Sequence, residues 1–423
     1  MTDVRVLVGG VTIAMAFVAL RQLAPRDGSP LFFVILAVSA GAYVLAMRGL
    51  ARRPGLSRPA LVCGLVLALL WRLPLALAPV GRDADVHRYI WDARLQRAGL
   101  NPYAERPNDP AVAWLHTAET RHMNNQGVAS PYPPVAQFFF RGVTAVHESA
   151  AALKISLVAC EVLLVFVLWS WLVGRGMDPA WVLAYAWHPL ATLEMARNGH
   201  FEVVGVLLLC LSALALHRGL PARAAVWFAL AVGTKLLPVV LVPLYWGRVR
   251  PRHLLLAVAV LVGVSLPFAG GQALGSIPDV IDRFRFNAPL FSAGERVLGA
   301  RGAAGAAVAV GLLAALIGRR VDPGRMSAAW AWPLAAALAC APLVYPWYLV
   351  WLLPFLIGTA MLPLRIWSLS IIAVYAVWHG FAAGSAWRVP PAVLAIEYGP
   401  PIAALLYGAW AARSRPAGSV GPA

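Results

Sequence analysis

Long apolar runs separated by short polar loops recur along most of the 423-residue chain. Each run is roughly 17–22 residues long, which is the length that a helix needs to cross the core of a bilayer. The pattern predicts an all-α polytopic membrane protein, a single integral-membrane domain over residues 1–423 with about 12–14 transmembrane segments. Full spans are predicted near residues 4–20, 31–47, 60–80, 154–173, 180–194, 203–217, 253–268, 297–318, 326–342, 347–362, 365–382 and 391–411.

One pair of apolar runs is too short for two full spans. It covers residues 221–234 and 236–247, and arginine clusters flank it on both sides. Basic loops of this kind are typical of the cytoplasmic side. Residues 221–247 therefore predict a short membrane hairpin whose outer tip carries Lys235.

Composition and charge support this membrane interpretation. The chain is 61% hydrophobic, with a mean hydropathy of +0.72 and a formal net charge of +17. The basic residues cluster in short loops, which predicts cytoplasmic termini and contact with anionic membrane lipids. We expect no nucleic-acid partner, because no zinc-finger or RNA-binding signature accompanies the charge. The four cysteines lie within apolar runs, so neither a disulfide nor a metal site is expected.

The longest polar region, residues 81–150, is balanced in charge, with seven arginines and seven acidic residues. A loop of this length is functional or disordered, and its many aromatic residues argue against disorder. The region predicts an extracytoplasmic catalytic loop. Two amphipathic helices are expected in it, over Asp83–Ala98 and Val135–His147, and both should lie in the membrane interface.

Four polar groups of residues fall on the predicted outer side: Asp83–Asp92, the turn Glu194–Glu202, Lys235 and Asp279–Glu295. A charge close to hydrocarbon is unfavourable, by roughly 2.5–3.5 kcal/mol for an Asp, Lys or Arg at mid-bilayer. Several charged groups on one side of the membrane therefore predict a shared polar cavity.

Asp85 is the candidate general base, since a carboxylate can take a proton from an attacking hydroxyl near neutral pH. The alternative is structural, because an aspartate at a helix start can cap the helix or pair with Arg88 or Tyr89. Asp83 can substitute for Asp85 as the base. Asp92 is expected to pair with Arg88 at i,i+4.

Lys235 is the candidate partner of a phosphate, on which an ammonium acts as a point charge. The alternative is a lysine that snorkels at a helix end. Arg197, Arg283 and Arg285 are further candidates for a phosphate clamp.

Three other outer residues are candidates for contact with a sugar. His200 can bind a sugar hydroxyl or a phosphate, or it can be an ordinary loop histidine. Trp347 and Tyr348 can stack on a sugar face, although anchoring at the membrane interface is the more common role of such aromatic residues.

Several short motifs resemble those of one enzyme family. The first is Asp85–Arg94 with Gly99–Tyr103, and the others are Ser130–Pro134, Tyr185–Leu190 through Gly199–Glu202, Lys235–Pro238, Phe286–Phe291 and Pro346–Trp351. With these motifs the chain resembles bacterial polyprenyl-phosphate-hexose-dependent glycosyltransferases of the glycosyltransferase-C superfamily. Members related to the mycobacterial lipoglycan α-mannosyltransferases are the most similar.

The resemblance implies a glycosyltransferase-C-like fold in the bacterial cytoplasmic membrane, with the active site on the extracytoplasmic side. It implies inverting transfer of a hexose, expected to be mannose, from a polyprenyl-phosphate donor to a glycan or lipid acceptor. By this resemblance Asp85 is the expected general base. Asp83 remains a competitor, because relatives have adjacent acidic residues where this chain has Ala84-Asp85.

The same resemblance extends the set of candidate residues. Arg88 joins Lys235, Arg197 and Arg285 in binding the donor phosphate. The substrate-binding candidates are Asp92, Tyr103, Tyr132, His200, Glu202, Asn287, Trp347 and Tyr348. Relatives have Gly-His-Asn-Asp where this chain has Phe201 and Glu202, so substrate details can differ. No cofactor is expected. Carboxylates and phosphate suit Mg²⁺ or Mn²⁺, but no ligand set is assignable.

The rival interpretation is a lipid-linked sugar flippase or a transporter without chemistry. Charges at broken membrane helices fit such proteins. The gathering of polar residues at one face and the long outer loop favour the enzyme. A non-catalytic partner in an envelope complex is a third alternative.

Overall fold

The computed structural model describes residues 4–52, 55–81, 84–271, 275–359 and 361–414. Helices dominate these ranges, which contain no strand beyond an isolated bridge between Phe286 and Leu343. Within them, eight helical segments are long and apolar enough, by length and composition, to cross a membrane. The all-α polytopic architecture is thus confirmed, and the number of about 12–14 segments stays a prediction.

The N-terminal part contains three long helices, the polar loop with its own helices, and a fourth long helix. In order these are α1 (Val4–Leu23), α2 (Pro30–Arg52), α3 (Arg58–Ala76), α4 (Asp85–Arg97), α5 (Pro134–Val146) and α6 (Ala150–Gly174), with 3₁₀ turns at Pro110–Leu115 and Thr120–His122. Helix α5 agrees closely with the predicted second helix of the loop.

The central part is built from short helical pieces. These are a 3₁₀ turn at Pro179–Val182, α7 (Leu183–Ala186), α8 (Pro189–Ala191), a π-helical segment at Thr192–Asn198, α9 (Glu202–His217), α10 (Pro221–Thr234) and a 3₁₀ segment at Leu237–Tyr245. The predicted continuous span at residues 180–194 is therefore wrong. Proline at 189 removes an amide donor from a helix interior, and His188 caps the new helix by accepting from the Leu190 amide.

The C-terminal part alternates long and broken helices. It contains α11 (Pro251–Ser265), a 3₁₀ turn at Leu266–Phe268, α12 (Ile277–Arg283), α13 (Pro289–Gly318), α14 (Ala328–Ala339), 3₁₀ pieces at Pro346–Trp351 and Leu353–Leu356, α15 (Leu362–Ser370), a 3₁₀ segment at Ile371–Tyr375, α16 (Ala376–Ala382) and α17 (Pro391–Arg413). The predicted span at residues 347–362 is likewise broken into short pieces rather than one helix.

Helix α4 differs from its prediction. The sequence indicates an amphipathic helix at the interface, yet nearly every residue from Val86 to Gln96 is buried within the protein. The loop and α5 cover the face on which Arg88 and Asp92 lie. The end of the helix is as predicted, because Gly99 has a φ of +78°, a left-handed conformation that favours glycine.

Candidate functional site

A cavity of about 950 Å³ lies where the α1–α2 loop, the start of α4, the turn before α9 and the end of α10 meet. Its polar lining comprises Arg21, Arg26, Asp27, Asp85, Arg88, Asn124, Tyr132, Arg197, Asn198, His200, Glu202, Lys235, Tyr345, Trp347 and Tyr348. Three of the four predicted outer polar groups thus meet around one cavity. The fourth contributes apolar side chains, namely Val280, Ile281 and Phe284.

Asp85 is the first residue of α4, and its carboxylate faces two neighbours. Asn124 Nδ2 donates to Asp85 Oδ1 at 3.2 Å, and His200 Nε2 lies 4.0 Å from Asp85 Oδ2. The side chain is 23% exposed, so the carboxylate remains accessible from the cavity. Arg88 contacts a different carboxylate, that of Asp92. The competing Asp83 lies outside the described residues.

His200 is held between a buried carboxylate and an indole ring. Its Nδ1 lies 2.9 Å from Glu194 Oε2, and its ring stacks on Trp347 with centroids 3.8 Å apart. Glu194 itself is fully buried and accepts from Tyr375 Oη at 2.8 Å. The carboxylate thereby fixes the tautomer and points Nε2 towards Asp85, an arrangement that also stabilises imidazolium.

Protonation of His200 is expected to stabilise the fold. Burial alone lowers its pKa, but the hydrogen bond to Glu194 and the charges of Glu194, Asp85 and Glu202 outweigh burial and raise the pKa. Because the folded pKa exceeds the unfolded value of about 6.5, this stabilisation is complete below that value. It is lost as the pH rises through the folded pKa.

Thermal unfolding of wild type and His200→Gln, measured between about pH 6 and about pH 9, checks this expectation. The difference in midpoint between the two proteins should shrink as the pH rises. His122→Gln, at an exposed histidine of the loop 81–150, should keep the wild-type profile. A difference that is constant or grows with pH would show that His200 is neutral in the fold.

Lys235 follows the last residue of α10 and pairs with a carboxylate across the cavity. Its Nζ lies 2.5 Å from Glu202 Oε1 and 3.4 Å from the centre of the Tyr348 ring. Burial lowers the pKa of Lys235 by more than the Glu202 carboxylate raises it. Lys235 lies at the junction of α10 and the 3₁₀ segment Leu237–Tyr245, where the sequence predicts the tip of a hairpin, and it lines the cavity.

The cavity wall between Asp85 and Lys235 is aromatic. Tyr89 stacks on Phe140 with ring centroids 4.4 Å apart, and Tyr132 and Phe201 contact both rings edge-on. On the facing wall Tyr345 stacks on Trp347 at 4.4 Å. Ring faces and edges of this kind fit the apolar faces of a sugar ring.

Arg88 and Asp92 form a buried network that supports the wall. Arg88 Nε donates to Asp92 Oδ1 at 2.9 Å, as predicted, and Arg88 Nη2 donates to the Val128 carbonyl at 3.0 Å. Asp92 Oδ2 accepts from Ser130 Oγ and, at 2.9 Å, from Gln137 Nε2. The network ties α4 to α5 and to the Ser130–Pro134 motif.

Five of the predicted site residues do not line the cavity. Asp92 lies behind its wall, and Tyr103 donates its hydroxyl to the Tyr132 carbonyl at 2.7 Å. Asn287 is buried against Glu397, with Nδ2 3.1 Å from Oε1. Arg285 pairs with Glu295 at 2.5 Å, and the exposed Arg283 pairs with Asp279 at 3.5 Å. The side chains of these five residues lie outside the cavity lining.

The individual site residues predicted from the sequence do not include Asn124, Glu194 or Tyr345, although all three contact residues that were predicted. Glu194 carried a usable signal, because a carboxylate at the end of an apolar run needs a partner. Asn124 carried none, because its proximity to Asp85 arises from the fold of the loop.

The turn that presents His200 depends on Gly199. Its φ is +80°, and an added Cβ would lie 2.8 Å from Val86 Cγ2 and 3.1 Å from Lys154 Cγ. Gly199→Ala should therefore destabilise the fold by about 1–3 kcal/mol in thermal unfolding. Gly176→Ala is the matched control, since Gly176 has a φ of +69° but open space around it. Equal losses in the two variants would contradict close packing at the turn.

Comparison with protein families gives one match. A family described as alpha-(1->6)-mannopyranosyltransferase, N-terminal domain, matches residues 4–249, which is more than half of the chain. The matched segment contains Asp85, His200, Glu202 and Lys235. Searches of curated proteins and of solved structures found no match.

Proposed function

The chain belongs to the alpha-(1->6)-mannopyranosyltransferase family, and on this premise we propose that it transfers mannose from a polyprenyl-phosphate donor to a glycan or lipid acceptor. It is a membrane glycosyltransferase of the glycosyltransferase-C type. The observation that carries the proposal is the cavity in which an accessible carboxylate, several cations and aromatic rings meet at the ends of membrane helices.

In the proposed reaction Asp85 is the general base. Its carboxylate takes the proton of an acceptor hydroxyl while the acceptor oxygen forms a bond to the anomeric carbon. The bond between that carbon and the phosphate oxygen breaks on the opposite face, and the polyprenyl phosphate leaves with the electron pair. Configuration is inverted. Asn124 holds the carboxylate, and partial exposure keeps it open to the acceptor.

The departing phosphate needs positive charge, which preorganised cations supply without reorganisation. Lys235, Arg88 and Arg197 line the cavity and are the candidates for this role. Arg285 is not proposed, because it pairs with Glu295 elsewhere. Within the described residues no three His, Cys, Asp or Glu side chains are grouped to hold a metal ion.

Sugar binding is assigned to the aromatic walls and their polar neighbours. Trp347, Tyr348 and Tyr132 offer ring surfaces, and His200 and Glu202 offer hydrogen bonds to hydroxyl groups. A buried polar group that hydrogen-bonds a sugar hydroxyl is left unpaired when that hydroxyl is missing, so such groups discriminate strongly between sugars. The stacked ring of Trp347 is held in place by His200 and Tyr345.

We assign the cavity to the extracytoplasmic side of the cytoplasmic membrane. The support is the charge pattern, since arginine clusters occupy the loops on the side opposite the predicted outer residues. With both termini cytoplasmic, the α1–α2 loop and residues 81–150 are both outside, which agrees with their shared lining of the cavity.

The donor class is tested by offering the purified protein three donors with one glycan acceptor. These are polyprenyl-phosphate mannose, polyprenyl-phosphate glucose and GDP-mannose. We expect mannose to be transferred from the first donor, and the product to be cleaved by an α-mannosidase. Efficient transfer from GDP-mannose in the absence of lipid would overturn the assignment of the donor.

A further inference from the structure

The cations that line the cavity differ in whether a carboxylate balances them. Lys235 is matched by Glu202, and Arg88 by Asp92. Both pairs are buried or nearly so, with the carboxylates 1% and 0% exposed. A buried pair of this kind adds little net charge to the field that a ligand experiences. Lys235 and Arg88 therefore supply less net charge to an anionic ligand than cations of the same cavity that no carboxylate balances.

A second group of charges lies at the other end of the cavity, and we name it the Arg197 end: Arg21, Arg26, Asp27, Lys154 and Arg197. Arg21, Arg26, Asp27 and Arg197 line the cavity, whereas Lys154 is buried directly behind Arg197. Arg197 Nη2 pairs with Asp27 Oδ1 at 2.6 Å. Among the described contacts, Asp27 is the only carboxylate that pairs with any of these four basic residues.

Lys154 is buried behind Arg197 and is surrounded by carbonyl oxygens. Its Nζ lies 2.9 Å from the Leu75 carbonyl oxygen, 2.6 Å from that of Ala78 and 3.2 Å from that of Arg197. An ammonium group has the three N–H donors that match these three acceptors. No carboxylate is among its described partners. Arg21 and Arg197 are close enough for their charges to act on it.

The two remaining arginines face outward. Arg21 Nε donates to the Pro74 carbonyl at 3.2 Å, which leaves the rest of its guanidinium available. Arg26 is exposed at the cavity rim. The Arg197 end thus places three arginines against one carboxylate at the cavity, with Lys154 behind Arg197. An excess of positive charge beside a cavity with low-dielectric walls favours binding of an anion.

The position of this end in the membrane narrows the class of anion. Arg21 lies in the last turn of α1, and Pro74 near the end of α3, and both helices are long enough to cross a membrane. Helix ends of this kind lie at the headgroup level of the bilayer. Leu20, Leu75 and Phe381 line the same end with apolar surface. Positive charge beside apolar surface at this depth suits a lipid whose phosphate contacts the arginines and whose tail contacts the apolar side chains.

We propose that the Arg197 end binds the phosphate of the lipid-linked substrate, a phosphate ester that carries a polyprenyl tail. This inference rests on the proposed function for the identity of the lipid. Arg197 pairs with Asp27, whereas His200, three residues later in the same turn, faces Asp85.

The test measures binding rather than transfer. Purified protein in phosphatidylcholine nanodiscs is titrated with polyprenyl phosphate, with the neutral polyprenol and with phosphatidylglycerol. Wild type is compared with the double variant Arg21→Gln/Arg26→Gln, whose exposed side chains can change without disturbing the core. Arg121→Gln/Arg301→Gln is the matched control, because it also removes two exposed arginines, one in the loop 81–150 and one in α13, neither of which lines the cavity.

The double variant should bind polyprenyl phosphate roughly 10- to 30-fold more weakly than wild type, the loss expected for two arginines near a membrane surface. The control variant and the affinity for polyprenol should not change. Unchanged binding of polyprenyl phosphate would overturn the inference. Equal competition by phosphatidylglycerol would also overturn it, since the arginines would then recruit any anionic headgroup.

The outcome is separable from the proposed function. If the arginines govern binding but no mannose is transferred, the phosphate site stands and the enzyme assignment fails. If mannose is transferred but the double variant binds polyprenyl phosphate like wild type, only the phosphate site is lost.

Discussion

Asp85→Asn should reduce the turnover of mannosyl transfer by about 10²–10⁴-fold, the range that a general base contributes. The amide keeps the shape of the carboxylate and its contact with Asn124, but it cannot accept the proton of the acceptor hydroxyl. Because the effect is confined to the transition state, kcat should fall while KM for the donor changes little. Initial rates over a range of donor concentrations measure both.

Two controls distinguish loss of the general base from loss of the folded protein. Asp85→Asn should unfold at the same temperature as wild type, since the side chain is partly exposed and, among the described residues, its one ion-pair contact is that with His200 at 4.0 Å. Glu119→Gln, an exposed carboxylate of the same loop, should retain wild-type turnover. Wild-type turnover in Asp85→Asn would remove the base assignment and direct attention to Asp83.

Arg72→Met should destabilise the fold by about 3–5 kcal/mol, as removal of one member of a buried ion pair does. Arg72 on α3 meets Glu161 on α6 through two contacts, of 3.0 and 3.2 Å, and both side chains are at most 5% exposed. Arg72 Nη1 also donates to the Ala186 carbonyl at 2.7 Å. The substitution leaves a carboxylate without its cation among membrane helices.

Thermal unfolding in detergent, together with retention of the folded monomer on heating, measures this loss. The double variant Arg72→Met/Glu161→Gln should recover much of it, because no buried charge is left. Arg301→Met, which removes an exposed ion pair with Asp282, should unfold like wild type. An Arg72→Met protein as stable as wild type would show that the pair is not buried in the membrane domain.

The fold class followed from the apolar runs, because hydrophobic length is decided by the bilayer. The breaks within the helices could not be predicted from the sequence. Residues 180–198 are almost entirely buried, so apolar composition there is the same for a straight helix and for broken pieces. The prediction of an interfacial position for α4 was wrong for a related reason. Its polar face suggested contact with solvent, but Ser130 and Gln137, which are distant in the sequence, cover that face.

The convergence of Asp85, His200 and Lys235 could be predicted because the membrane limits where charged residues can gather. Their distances and partners could not. Lys235 was expected to be free for a phosphate, and the structure pairs it with Glu202. Asn287 was selected from its motif, yet it faces Glu397 on α17. Motif membership locates a segment in the fold, whereas the direction of each side chain depends on contacts that are remote in sequence.

The most direct measurement follows both products of the reaction. Purified protein is incubated in liposomes with polyprenyl-phosphate mannose, labelled in the sugar, and a glycan acceptor. We expect label in the acceptor and an equal amount of free polyprenyl phosphate for wild type, and both products to form far more slowly with Asp85→Asn. Labelled lipid that stays intact but crosses the bilayer, with no label in any acceptor, would contradict mannosyl transfer and favour a flippase.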